Sequence, residues 1–292
     1  MTKSKRGGKR KGGMAMSKQW NVISLGAGVQ SSTMALMASR GELLDIQVDF
    51  AIFADTQDES KKVYDWLGWL EGQLSFPVYR VTRGRLSDRS LEMRVTKDGR
   101  RFSKTDIPLY TLSKQGSEGM IPFRSCTADF KIKPILKELR FRCKVKRGQK
   151  VQTVTSLIGI SYDEQQRMKD SRDAWVVNRW PLVELRMRRY DCLEWMKRKG
   201  YPEPPRSSCV YCPFHSNKEW RRLETEEPEE FQKAVKFEKD LQLAKKNSES
   251  FHSTPFLHQS RKPLDEIDFR SDVERGQGLL DFQDECDGMC GV

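Results

Sequence analysis

Between Asn21 and Thr82 the sequence alternates apolar strand, helix, strand, helix and strand, and this order leaves few folds open. "NVISLG" reads as a short buried strand, and Ser32 to Arg40 as a helix stopped by Gly41. "IQVDFAIFADT" is a second strand, rich in apolar and branched residues, with Asp55 near its end. Val63, Trp66, Leu67 and Leu70 fall at helical spacing in a helix from about Glu59 to Leu74, and "PVYRVT" is a third strand. Strands joined by helices pair in parallel through right-handed crossovers. The expected fold is therefore α/β and Rossmann-like, a parallel sheet with helices on both faces.

The rest of the chain is less regular. Residues 83–125 are polar and basic, and read as an extended insertion with a hairpin around "TKDGRR". A helix is expected from Phe130 to Lys144, with Pro134 near its start, where proline is tolerated. "VTSLIGI" is a fourth strand and "YDCLEWMKRKG" a helix ended by Gly200. Two charged helices follow, from about Lys218 to Thr225 and from Glu229 to Lys246. In "ETEEPEEF" the acids sit at a helix start, where the dipole favours them. The expected organisation is a disordered basic arm at 1–18, a nucleotide-binding domain at 19–215 that contains the insertion, and a helical, cysteine-bearing extension at 216–292.

The net charge of +12 lies partly in the arm and more between Arg83 and Arg147. A basic face suits phosphate-bearing partners such as nucleotides, RNA or DNA. In the arm, Lys9-Arg10-Lys11 reads first as a solvated tail and second as a nucleic-acid or nuclear-targeting patch. No apolar run approaches the roughly 18–20 residues that cross a bilayer. The basic N-terminus is not a secretory signal either. The expectation is a cytoplasmic protein with no membrane partner. Seven cysteines without an export signal point to metal binding or redox chemistry before disulfides.

A glycine-rich turn from strand to helix exposes backbone N–H groups at the positive end of the helix dipole, which cradles an anion. Gly26 and Gly28 allow close approach of the main chain, and Ser31 and Ser32 add hydroxyls. The Walker pattern is absent, because no Lys-Ser or Lys-Thr follows, and the third glycine of the dinucleotide fingerprint is missing. Taken alone, the loop is equally an ordinary tight turn.

The loop resembles the pyrophosphate-binding Ser-Gly-Gly-x-Asp-Ser loop of the adenine nucleotide alpha-hydrolase superfamily, and the chain is most similar to its phosphoadenosine phosphosulfate (PAPS) reductase family. Ser24 opens the region, and Gly26, Ala27, Gly28, Val29, Gln30 and Ser31 occupy the matching positions. "FADTQDES", "CTADFKIKP", "GISYDEQQRM" and "RWPLVEL" followed by "CVYCPF" match further family segments in the same order, over roughly residues 21–215. Gln30 replaces the aspartate that helps to hold magnesium in ATP pyrophosphatases, and an amide is a poor Mg²⁺ ligand. That suits a sulfate or single phosphate at this spot, as in the reductases; Mg²⁺ is implied only where ATP is used. Glu285-Cys286-Asp287-Gly288 is a partial match to the reductase nucleophile motif.

Cys209-x-x-Cys212 by itself holds zinc, joins an iron–sulfur cluster or acts as a redox dithiol. The resemblance implies a [4Fe–4S] cluster on Cys126, Cys209 and Cys212, with Cys290 as fourth ligand and Cys286 as nucleophile; the last two roles exchange readily. Structural zinc, with His215 as a further ligand, is the alternative. Cys143 and Cys192 lie on expected helices and read as core. Asp55, Lys131, Lys133 and Arg167 are the remaining candidates for contact with the nucleotide or its anion, with Arg124 beside them. Trp66, Trp69, Trp195 and Trp220 read as core aromatics.

Three functions stay open. One is thiolate attack on the sulfur of PAPS or adenosine phosphosulfate (APS), regenerated by an external thiol donor. The second is ATP-dependent sulfur transfer to tRNA or DNA. The third is a non-catalytic, nucleotide- and metal-bound module that binds nucleic acid or protein.

Overall fold

The computed structural model describes residues 18–44, 46–104, 106–249 and 251–270. The expected arm, except Lys18, and the tail with Cys286 and Cys290 lie outside the described residues. The chain opens with β1 (Trp20–Leu25), α1 (Val29–Ser39), β2 (Phe50–Asp55), α2 (Lys61–Glu71) and β3 (Val78–Thr82). The insertion forms α3 (Leu86–Leu91), β4 (Met93–Val95), β5 (Arg101–Ser103), β6 (Leu109–Ser113) and β7 (Glu118–Ile121). Then come α4 (Lys133–Arg142), β8 (Val154–Ile158), β9 (Val176–Arg179), α5 (Pro181–Glu184) and α6 (Arg189–Arg198). α7 (Asn217–Glu226), α8 (Pro228–Lys246) and β10 (Ser253–Phe256) complete the described fold.

Five strands form the central sheet in the order β3-β2-β1-β8-β9, all parallel. Side chains alternate across a strand, so each of the inner strands feeds two cores. Ile23, Leu25, Ala51 and Phe53 pack with Met34, Leu36, Leu67, Leu70, Trp195 and Met196 on the face covered by α1, α2 and α6. Val22, Phe50 and Ile52 pack with Leu139, Cys143 and Trp175 on the opposite face, under α4. The α/β, Rossmann-like expectation is met. Strand order reverses direction at β1, with β2 on one side and β8 on the other. In open sheets of this kind the crevice beyond the carboxyl ends of those strands is where ligands bind.

Local differences from the sequence reading have local causes. α1 begins at Val29 rather than Ser32, because Gly28, extended at φ −96° and ψ −177°, takes the cap position. The helix expected at 130–144 starts earlier, as a wide π turn over Cys126–Ile132 that runs into α4. Pro134 has no N–H to give back to that turn. β9 and β10 escaped notice: both are four residues long, and β10 carries Pro255, tolerated because β10 pairs on one side only, with β6. The hairpin at "TKDGRR" is β4–β5, turning through Gly99 at φ +86°.

Insertion and extension share a second core, in which Leu86, Ile107, Leu109 and Phe130 meet Val210 and Tyr211, and Trp220, Phe231, Phe237 and Leu241 of α7 and α8. Two buried charges fasten it. The Glu238 carboxylate accepts the Leu257 and Leu264 N–H groups, each at 2.8 Å. The Lys245 ammonium donates to Ser103 O and Oγ at 3.0 Å and to Lys104 O at 3.1 Å. Among the described residues no helix is long and apolar enough to cross a membrane.

Candidate anion and nucleotide site

β1 ends at Leu25, and Gly26, Ala27 and Gly28 turn the chain into α1. The left-handed residue of this turn is Ala27, at φ +57°; neither glycine takes a positive φ. Ser31 clips the loop, its hydroxyl donating to Gly28 O at 3.3 Å and accepting the Gly26 N–H at 3.2 Å. No side chain caps α1, so its first-turn N–H groups, at the positive end of an eleven-residue helix, keep their capacity for an anion. Gly159, just past β8, lets this turn approach the sheet: a Cβ there would stand 2.8 Å from the Ser31 Cα and N.

The turn opens into a cleft of about 1800 Å³. Ser24, Gly26, Gly28, Gln30 and Ser31 form one wall, with Ile158, Gly159 and Ile160 beyond β8. Lys131, Lys133 and Arg167 line the cleft, with Arg124, Arg172, Arg189, Arg206, Lys218, Arg221 and Arg222; cations outnumber carboxylates.

Gln30 sits at the centre of a network. Its Nε2 donates to Glu164 Oε2 at 3.3 Å, and its Oε1 accepts from Arg189 Nη1 at 3.2 Å. Arg167 pairs with the other Glu164 oxygen at 2.6 Å. An amide bridges a carboxylate and a guanidinium because it both donates and accepts. A carboxylate at position 30 would instead face Glu164 with like charge. Lys133, Lys104 and Arg83 surround Asp129 at 2.6, 3.5 and 3.4 Å. The Lys133 ammonium holds the Asp129 carboxyl below its usual range, and the group keeps a net positive charge. Lys131 Nζ lies 3.6 Å from Glu59 Oε1.

Three expected nucleotide contacts lie away from the cleft lining. Ala27 is buried under its own turn. Ser32 is also buried, and its hydroxyl accepts the Trp66 indole N–H at 3.0 Å. Asp55 Oδ1 accepts from Gln57 N–H at 2.7 Å and Tyr64 OH at 2.8 Å, so it stiffens the turn after β2.

The cysteine segment is brought to the same region by pairing with that turn. Glu59 and Cys209 form an antiparallel bridge, and Val210 N–H donates to Asp58 O at 2.9 Å. Asp58 also accepts the Tyr211 hydroxyl and both donors of Ser87. Cys209 Sγ is 3.2 Å from Thr56 Oγ1, and burial, helped by the Glu59 charge, pushes its thiol well above the ordinary range. Cys212 N–H closes a turn on Cys209 O at 3.0 Å, and Cys212 lines the cleft. Cys126, whose N–H donates to Asp106 O at 2.7 Å, packs against the same second core as Cys209. Among the described residues no three His, Cys, Asp or Glu side chains are placed to hold a metal ion. A shared metal or cluster therefore needs the thiols of Cys126, Cys209 and Cys212 to draw together, and Cys290 lies outside the described residues. Cys143 and Cys192 are core residues whose thiols burial pushes up to about 12.

His215 is buried with its Nε2 3.0 Å from Ser208 Oγ. Burial, with the Arg206 and Arg222 charges, holds its imidazole well below the usual value, so it is neutral. Sequence reasoning named none of Gly159, Glu164, Arg189 and Arg206 as site residues; Gly159 and Glu164 lie in the matched segment "GISYDEQQRM", whereas Arg189 and Arg206 left no local signal. No protein-family model matches the chain, and no curated protein matches it.

Proposed function

We propose that this protein binds an adenylyl nucleotide at the carboxyl edge of its sheet and performs sulfur chemistry on it, as the resemblance to PAPS reductases implies. The uncapped first turn of α1 at the strand-order switch, opening into a cationic cleft, carries this reading. Gly26 and Gly28 let a sulfate or phosphate approach the main chain. Lys131 and Arg167, each beside a carboxylate, set the charge of the wall facing it. In the reaction a cysteine thiolate, Cys286 by resemblance, attacks the sulfonyl sulfur. A sulfur–sulfur bond forms, the sulfur–oxygen bond breaks, and the nucleotide leaves with the electron pair. An external dithiol then reduces the adduct and releases sulfite. Cys126, Cys209, Cys212 and Cys290 are the thiols that would hold an iron–sulfur cluster, or zinc in its place.

The test uses anaerobically purified protein with PAPS or APS and a dithiol. The expected result is nucleotide binding and sulfite release, the latter lost in Cys286→Ser. Absence of both binding and sulfite with either nucleotide overturns the reading. Iron and sulfide analysis of the same preparation decides the cofactor, and stoichiometric zinc without sulfide rules for the alternative.

A further inference from the structure

Ser156, in the middle of β8, is 8% exposed and has no hydrogen-bond partner among the described residues, yet it lines the cleft. A hydroxyl withdrawn from water and left unpaired costs stability unless a ligand completes it. Side chains alternate along a strand. Val154 and Val176 belong to the core under α4, so Ser156, Ile158 and Asn178, an even number of residues on, face the same side. Ser156 pairs with Asn178, which sets the two polar groups side by side. α4 packs over β2 and β3, and its Ile135 and Leu136 form one wall of a trough along β8 and β9. Residues 169–173 form the other wall. One end is closed where Asp173 accepts from Arg140 of α4 and from the Trp175 indole, each at 2.9 Å. The other end opens at Ile158 and Gly159, against the Ser31 turn.

Apolar walls with two convergent polar groups make a small-molecule site, and its position selects the molecule. Gly159 stands three residues beyond Ser156, about 10 Å along the strand, the interval that a ribose leaves between a 5′ anion and a base. The polar edge fits adenine. Asn178 gives its Nδ2 to Lys169 O at 2.8 Å and keeps Oδ1 unpaired among the described residues, turned to accept from an exocyclic amine. The Ser156 hydroxyl donates to a ring nitrogen. On the other side of β1, β2 brings only Phe53 and Ala54 to the lining, and Asp55 Oδ1 is taken by Gln57 and Tyr64. The cysteine segment lies on that side too, bridged to Glu59 after β2. Phe269, beyond which residues 271–292 continue, stacks on Trp220 in the core that includes Cys209. The thiols of the proposed reaction thus gather on the β2 side, and the trough lies on the β8 side.

We propose that this trough is the base subsite of the nucleotide, with Ser156 and Asn178 reading the amine edge of adenine between α4 and residues 169–173. The proposal rests on the reading that the turn before α1 holds the nucleotide's anion.

The experiment is calorimetry on the full chain with adenosine 5′-monophosphate, inosine 5′-monophosphate and ribose 5-phosphate. The adenine nucleotide binds about ten-fold or more tightly than the inosine nucleotide, whose 6-oxo group meets the Asn178 oxygen with a lone pair. Ser156→Ala weakens adenosine monophosphate about five-fold. It melts no lower than wild type, since it removes an unpaired hydroxyl. Asn178→Leu abolishes the preference for adenine over hypoxanthine. Both variants leave ribose 5-phosphate affinity unchanged. Equal binding of the two nucleotides by the wild type, or wild-type affinity for adenosine monophosphate in both variants, overturns the proposal. A variant that changes all three ligands by one factor assigns the trough to another occupant, residues 271–292 included, and overturns it too. Binding of ribose 5-phosphate with no gain from the base overturns the base subsite alone. Absence of binding by all three and by APS overturns the proposed function, and this subsite with it.

Discussion

Gly28→Ala separates what the loop needs for folding from what it needs for a ligand. Gly28 lies at φ −96° and ψ −177°, a region open to any L-residue. An added Cβ would meet Ser207 Cβ at 3.6 Å and Ser207 N at 4.0 Å, ordinary contact distances. The substitution leaves the fold intact: reduced chain entropy contributes up to about 1 kcal/mol, and alanine's poorer fit to the helix-cap position that Gly28 holds offsets it by a similar amount. The melting temperature stays within about 2 °C of wild type. An anion on the first turn of α1 meets the new methyl group where it would approach the main chain. Loss of one hydrogen bond to a charged group costs about 1.5–3 kcal/mol, or about 10–150-fold in affinity. The assay pairs differential scanning fluorimetry with calorimetric titration of APS and ATP. Gly159→Ala is the opposite control. Its Cβ would stand 2.8 Å from Ser31 backbone atoms. Such overpacking costs about 1–3 kcal/mol, and the melting temperature drops by about 2–6 °C. Unchanged nucleotide affinity in Gly28→Ala refutes the loop as an anion cradle, and a collapse of its melting temperature refutes the steric reading.

Lys245 gives a pH signature. Burial lowers its pKa to about 8, from 10.5, so unfolding between those values takes up a proton and stability rises with pH through the window. Relative to Lys245→Met, wild-type unfolding free energy increases by up to about 3 kcal/mol from pH 7.5 to 10.5 in urea titrations; a flat difference contradicts the assignment. Glu238→Gln leaves two buried N–H groups to share one amide oxygen and strands the new NH₂ group. The expected loss is about 1–3 kcal/mol by urea unfolding, and an unchanged midpoint contradicts it.

The fold was legible because β1 and β2 are apolar on both faces and alternate with amphipathic helices. Ile23 and Val22 both needed cover, which only helices on both sides of the sheet provide. β9 and β10 were not legible, since four residues carry no period. The site was legible where the chemistry is local: Gly26, Gly28 and Ser31 announce a turn at a helix start. It was illegible where tertiary packing decides. Ser32 looked like its neighbour Ser31, yet one residue along α1 turns it about 100°, toward Trp66. Asp55 sits at the right end of the right strand, but Tyr64 and Gln57 claim its oxygen. Arg189 and Gln30 are 159 positions apart, and no local pattern pairs them. The shared core of insertion and extension was hidden for the same reason: Phe130 and Trp220 meet only when the chain has closed.

The proposed grip of main-chain amides at the start of α1 on an anion carried by an adenosine derivative is open to amide NMR of ¹⁵N-labelled protein, with Val29, Gln30 and Ser31 assigned, during titration with APS. These three amides are expected to shift together and saturate with the nucleotide, and adenosine without an anion to leave them in place. Saturable nucleotide binding that moves other amides and leaves these three unmoved would contradict it.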